Sequence, residues 1–206
     1  MNQTFISKYK PLLVDDFQAS EDFLCVLNAL FVMDDLNLLF IGNPNSGKTS
    51  FLYAVIRKYY NIGRGSSLPE SNIMFINNLK EQGINYFRTE MKTFCRSRSS
   101  IHGKKKLIII DDMDTINEQS QQVFRNYIDK YKHNVNIISV CTNIQKIIES
   151  IQSRMHILHI RSLNETQIRV IMDNIITTES ISIDDDAKEY LLRISDKTVR
   201  KLINNL

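Results

Sequence analysis

Apolar positions along this chain follow two rhythms. Short unbroken runs such as Leu38-Leu39-Phe40-Ile41, Ile73-Met74-Phe75-Ile76 and Leu107-Ile108-Ile109-Ile110 have the form of strands buried on both faces. Between them, apolar residues return every three or four positions, as on helices with one inward face. The pattern predicts strands over 36–41, 72–77, 107–110, 135–141 and 156–160. It predicts helices over 20–33, 48–60, 84–94 and 117–131. In the first helix Ser20 is the N-cap, and Phe23, Val26, Leu27, Leu30 and Phe31 form the inward face. Residues 1–19 read as an irregular lead-in, because Pro11 cannot continue a helix. Residues 61–71, with Gly63, Gly65 and Pro69, read as a surface loop. Strands alternating with helices imply a parallel sheet covered on both faces, with right-handed crossovers placing the C-terminal strand ends along one edge. After Arg161 the strands stop. Asn164 with Gln167 forms a capping-box variant, and further helices near 184–194 and 196–205 complete a small α-helical unit. The expected division is therefore an α/β domain over 1–161 and a helical lid over 162–206.

The first strand runs directly into Gly42-Asn43-Pro44-Asn45-Ser46-Gly47-Lys48-Thr49, and a helical pattern starts at Ser50-Phe51-Leu52. Glycines at both ends of such a loop let successive N–H groups converge on a phosphate, helped by the helix N-terminus. Lys48 adds a full charge near the β and γ phosphates, and Thr49 offers a hydroxyl to Mg²⁺. The strand over 107–110 ends in Asp111-Asp112, as a Mg²⁺-binding strand does. ATP and Mg²⁺ are the expected cofactors, with Gly42, Asn43, Asn45, Ser46, Gly47, Lys48, Thr49 and Ser50 around the nucleotide. Thr49 and Asp111 are the expected metal contacts.

Composition narrows the class further. The chain has 206 residues, 43% hydrophobic and 24% charged, enough for a sizeable core, and a net charge of +3 too mild to imply a polyanion partner. Local clustering is a separate matter: Arg96, Arg98, Lys104, Lys105 and Lys106 put five cations into eleven positions. They read either as a solvated loop or as a nucleic-acid patch. Cys25, Cys95 and Cys141 lack metal or redox spacing and read as reduced thiols. With no signal pattern and no membrane-length apolar run, a soluble, intracellular protein is expected.

Taken in order, these motifs resemble the AAA+ ATPases, and among them the small subunits of replication factor C, the sliding-clamp loader. Lys8-Tyr9-Lys10-Pro11 with Asp15-Asp16 is similar to that family's N-terminal segment, which implies that Tyr9, Lys10 and Pro11 lie against the base and phosphates. Asp111-Asp112-Met113-Asp114 occupies the place of the "DEAD" box, and Gln121-Gln122-Val123-Phe124-Arg125 resembles the helix after it. Lys146 to Arg154 resembles "RIIEPIQSR", Val199 to Leu206 resembles the lid helix "MRQALNNL", and Asn77 to Arg88 resembles a segment close to DNA.

The resemblance implies that Asp112, standing where the family has Glu, polarises the attacking water. Its carboxylate is one methylene shorter, so hydrolysis is expected to be slow or restored by a backbone shift. Arg154 is implied to be an arginine finger acting in trans on a neighbouring subunit, and Arg200 a cis phosphate sensor. Thr142 or the adjacent Asn143 is implied to be the γ-phosphate sensor on the fourth strand. Arg88, Lys92, Arg96 and Arg98 are the candidate DNA contacts.

The expected function is an ATP-hydrolysing clamp-loader subunit whose partners are other loader subunits, the sliding clamp and primer-template DNA. It would act in the nucleus of a eukaryote or at a site of viral replication. Family small subunits continue past the lid into a helical collar, which this sequence, ending at Leu206, does not include. Two rivals stand beside this reading: a structural subunit that donates Arg154 but scarcely hydrolyses ATP, and a different AAA+ DNA machine.

Overall fold

The computed structural model describes residues 4–76, 79–196 and 198–206, and their side chains apart from those of 79–87. Five parallel strands, β1 (Leu38–Ile41), β2 (Ile73–Ile76), β3 (Lys106–Ile110), β4 (Val135–Cys141) and β5 (His156–His159), form one sheet in the order β2-β3-β4-β1-β5. Side chains alternate between its faces. Leu38, Phe40, Leu107, Ile109, Ile138 and Val140 point into one core layer, whereas Leu39, Ile41, Ile108, Ile110, Ile137 and Cys141 point into the other.

The first layer is closed by α2 (Glu21–Met33) and α3 (Lys48–Tyr59), through Leu27, Leu30, Phe51, Leu52, Val55 and Tyr59. The second is closed by α4 (Leu79–Arg96), α5 (Glu118–Tyr131) and α6 (Glu149–Gln152), through Met91, Cys95, Phe124, Ile128 and Ile151. Burial pushes the Cys95 and Cys141 thiols up to about 12, so both stay protonated core groups at neutral pH, while Cys25 is exposed. After the sheet, α7 (Glu165–Glu179), α8 (Asp185–Ile194) and α9 (Val199–Asn205) share a separate apolar cluster of Ile168, Met172, Leu192 and Leu202. The predicted capping box is formed: Asn164 Oδ1 accepts from the Gln167 N–H at 2.8 Å, and the Asn164 N–H donates to Gln167 Oε1 at 2.9 Å. No described helix is long and apolar enough to cross a membrane.

Several boundaries differ from the sequence reading. The lead-in is not wholly irregular: Phe5–Lys8 forms a short helix, α1, and Val14–Asp16 a 3₁₀ turn in which Asp16 accepts the N–H groups of Leu12 and Leu13, each at 2.9 Å. Helix α4 starts at Leu79, not Ile84, because Gly83 lowers helix propensity without interrupting the hydrogen-bond ladder. Helix α9 starts at Val199, later than expected, because Asp196 takes a left-handed conformation with φ 50°. Asn77, at the start of the DNA-proximal resemblance, lies outside the described residues.

The basic stretch also resolves differently from either alternative. Lys104 Nζ lies 4.6 Å from the centroid of the Tyr59 ring, and Lys105 Nζ donates to the Asp34 carbonyl at 2.7 Å. Lys106, 4% exposed, donates to the Phe94 carbonyl at 3.3 Å and to Ser97 Oγ at 2.5 Å, closing the C-terminal end of α4. Three of the five cations therefore hold the fold together, and Arg96 and Arg98 remain exposed.

Candidate nucleotide site

With every strand parallel, the C-terminal ends of β1, β3 and β4 meet at one edge of the sheet, and the strand order sets β4 between the other two. Gly42 leaves β1 with its N–H directed to the Cys141 carbonyl of β4, 3.4 Å away. A Cβ at Gly42 would stand 2.5 Å from the Ile160 carbonyl oxygen and 2.8 Å from Ser46 Oγ, so the loop closes only around a glycine there. Asn45 and Gly47 take positive φ, 60° and 87°, and Gly47 hands the chain into α3. The first N–H groups of that helix have no intrahelical acceptor and face the loop concavity.

Lys48, 7% exposed, folds back over the loop and donates to the carbonyls of Gly42 at 2.9 Å and Asn43 at 2.8 Å. Ser46 Oγ is buried and has no partner among the described residues. An orphan hydroxyl, a lysine satisfied only by loop carbonyls and a cradle that a Cβ would fill are the features a polyphosphate would complete. The residues present fit ATP. Ser50 lies half-buried in the first turn of α3, and Asn43 is exposed on the loop.

Thr49 Oγ1 donates to Asp111 at 3.1 Å from Oδ2 and 3.3 Å from Oδ1, joining the loop to the end of β3 across the width of β4. A hydroxyl and a carboxylate are hard oxygen ligands of the kind Mg²⁺ selects. Burial, reinforced by the neighbouring Asp112 charge, holds the Asp111 carboxyl above the usual aspartate range. A raised folded-state value stabilises the fold only below the unfolded value and is lost as pH rises through the folded one, so at neutral pH ionised Asp111 opposes folding. Asp111→Asn is therefore expected to raise the Tm of the nucleotide-free chain at pH 7 by roughly 1–3 °C. The same change should abolish the further rise produced by Mg²⁺ and ATP, which thermal unfolding with and without the pair would read. A lower Tm in the variant would instead make the Thr49–Asp111 contact a structural one.

Asp112 is exposed and left-handed, with φ 51° and ψ 51°, at the cap of the 3₁₀ turn Met113–Thr115. Asp114, which the sequence reading did not single out, has a definite role: its Oδ2 accepts from the N–H groups of Thr142 at 3.1 Å and Asn143 at 2.9 Å. One carboxylate oxygen thus fixes the end of β4 relative to the end of β3. The signal was the third acid of Asp111-Asp112-Met113-Asp114. Of the two sensor candidates, Asn143 uses its Oδ1 to accept from the Gln145 N–H at 2.9 Å, capping the next 3₁₀ turn, whereas the exposed Thr142 side chain makes no such cap.

The remaining predicted residues stand on other elements. Tyr9 OH donates to Glu179 at 2.6 Å, Lys10 Nζ lies 5.6 Å from the centroid of the Tyr53 ring on α3, and Pro11 is half-buried beside them. Arg200 is exposed on the first turn of α9 and makes no hydrogen bond or ion pair among the described residues. Arg154 precedes β5 and so lies at the edge of the sheet opposite the phosphate loop. Its Nε donates to Asp129 Oδ1 at 2.7 Å and its Nη1 to the Ser150 carbonyl at 2.8 Å. Gln121, wholly buried, steadies this region: Nε2 donates to the carbonyls of Ile116 and Lys146, and Oε1 accepts from the Ile148 N–H. Arg88, Lys92 and Arg96 recur every four residues along an exposed flank of α4, beside the stripe that carries buried Met91 and Cys95, and Arg98 follows the helix.

A family model described as ATPase family associated with various cellular activities (AAA) matches residues 38–162. The chain belongs to the AAA family. Among curated relatives of this AAA chain, replication factor C subunit 3 of Schizosaccharomyces pombe is 32% identical over 203 residues, covering 98% of this chain and 58% of that protein. The replication factor C small subunit of Methanosarcina barkeri is 29% identical, covering 99% and 60% respectively. Human replication factor C subunit 4 is also 29% identical, covering 98% and 57%. The AAA chain thus spans somewhat more than half the length of these relatives. Among solved structures, one of Thermotoga maritima RuvB matches with a TM-score of 0.70 at 14% identity, covering 95% of this chain and 63% of that one, which shows a shared fold.

Proposed function

We propose that this AAA chain is an ATP-binding and ATP-hydrolysing subunit of a sliding-clamp loader, coupling nucleotide state to placement of the clamp on primer-template DNA. The reading is carried by the separation of two half-sites: a phosphate and metal cradle at one sheet edge, and Arg154 at the other. A chain built this way completes its site only beside a neighbour, and the replication factor C relatives along nearly its whole length support a loader as that assembly. In a eukaryote its place of action would be the nucleus.

When bound, ATP with Mg²⁺ supplies the phosphoryl group to be transferred. In this reading the loop N–H groups and Lys48 hold the phosphates, Thr49 and Asp111 hold the metal, and Asp112 orients the attacking water. Thr142, fixed through Asp114, senses the γ-phosphate, and Arg200 reports it to the last three helices, which we take as the lid from residue 162 onward. Arg154 serves the adjoining subunit. The two-edged architecture equally favours a variant of this reading in which Asp112 hydrolyses slowly and the chain acts chiefly as a donor of Arg154.

Arg88, Lys92 and Arg96 present three cations along α4 to a DNA backbone, contacts that neutralise phosphates without reading bases. Changing all three to Gln is expected to abolish stimulation of ATP turnover by primer-template DNA in the assembled loader. It should also reduce the slope of log affinity against log salt by about 3. Unchanged stimulation and slope would place the DNA elsewhere, and absence of any DNA-stimulated turnover in the unaltered assembly would remove the loader reading.

A further inference from the structure

Glu179, the last residue of α7, is at the unfavourable end of its helix. A carboxylate in a final turn faces the negative end of the peptide dipoles, and no basic residue of that turn offsets it. Its partners come from the other end of the chain: Lys8 Nζ and Tyr9 OH donate to the same Oε1 at 2.5 and 2.6 Å. Both hydrogen bonds hold the Glu179 carboxyl below its usual range. Lys8 and Tyr9 end α1, which packs beside α9.

Beyond Tyr9 the chain leaves the last three helices and crosses to the flank of the phosphate loop. Lys10 lies over Tyr53 of α3, Asp16 pairs with Arg64, and the Phe17 ring packs edge-on against Phe51 with centroids 5.0 Å apart. Phe17 Cε1 is 3.9 Å from where a Cβ on Gly47 would stand. Residues 9–17 are thus a strap with one end on α7 and the other against the loop.

We infer that Glu179 is a positioning residue for nucleotide binding: through Tyr9 and Lys8 it anchors the strap to the terminal helices, so that strap, loop and helices form one preassembled wall of the site. The inference rests on the nucleotide reading above. Without the anchor the strap must be ordered when nucleotide arrives, and affinity falls by the free energy of that ordering. Because one carboxylate oxygen takes both donors, the effects of removing either side overlap.

The test is equilibrium binding of a fluorescent ATP analogue, with Mg²⁺, to the full chain and to Glu179→Ala, Tyr9→Phe, the corresponding double variant and Lys48→Ala. Glu179→Ala and Tyr9→Phe are each expected to weaken binding by about 3- to 10-fold. The double variant should bind no more weakly than Glu179→Ala. Tyr9→Phe removes a single oxygen and keeps the ring, so its loss is not one of folding. If Lys48→Ala loses binding but the Glu179 and Tyr9 variants bind as the parent does, or lose affinity additively, the anchor is overturned while the nucleotide site stands. If Lys48→Ala binds as the parent does, the nucleotide reading itself falls, and the inference with it.

Discussion

Arg154→Ala is expected to lower ATP turnover of the assembled complex by about 10³-fold, the lower end of what arginine fingers contribute. ATP affinity of the isolated chain should be unchanged. The geometry separates these two readouts. The four residues of β1 span about 13 Å from one sheet edge to the other. Arg154 stands before β5 at the edge away from its own loop, and Leu38 of β1 pairs with His156 at that same edge. A guanidinium there cannot reach the phosphates of its own subunit without unpicking the sheet. Asp129 and the Ser150 carbonyl take Nε and Nη1, which fixes the plane of the guanidinium, and among the described residues Nη2 has no partner. In the proposed assembly, that unpartnered edge would offer its donors to a neighbour's γ-phosphate. Turnover that survives the change, or weaker ATP binding by the isolated chain, would show that Arg154 acts otherwise.

The second large effect is a gain. Asp112→Glu is expected to raise turnover by up to about 10²-fold, because in the proposed role a carboxylate short by one methylene would misplace the attacking water by about 1 Å. Two opposing features meet at this residue. Its backbone is left-handed, a conformation that aspartate tolerates better than glutamate does. A left-handed backbone also sends the short side chain off in another direction than a right-handed one would. The longer side chain is therefore expected to lower the Tm by roughly 2–4 °C while raising kcat. Single-turnover hydrolysis in the assembled complex, together with thermal unfolding of the isolated chain, would read both changes. If turnover stays flat or falls while Tm drops, the left-handed turn already brings Asp112 to the water, and the loss of one methylene is compensated by the backbone.

Wherever an element depends on neighbours in sequence, its position was readable in advance. The bounds of β4, the Ser20 cap of α2, the Asn164–Gln167 box and the loop from Gly42 to Thr49 all follow from apolar period, side-chain caps and glycine placement. The two caps are set by contacts within a few residues, and the strand and the loop carry their signal in local apolar period and glycine placement. The start of α4 at Leu79 is less legible, since Gly83 is a weak helix former that lies inside the helix. Lys104, Lys105 and Lys106 misled the reading, because charge patterning cannot distinguish a cation in solvent from one turned onto Tyr59, Asp34 or the end of α4.

By itself, then, the sequence determined that a phosphate-binding loop follows a buried strand, that an acid-ended strand accompanies it, and that helices alone follow residue 161. Only the tertiary structure decided how these meet. The strand order inserts β4 between the loop and Asp111, which brings Thr49 to Asp111 and lets Asp114 hold Thr142. It also sets Arg154 on Asp129 at the far edge and ties Tyr9 to Glu179 across nearly the full length of the chain. The physical reason is range: local periodicity marks elements over short stretches, whereas these pairings join residues 25 to 170 positions apart and exist only once the crossovers have chosen the order of the strands.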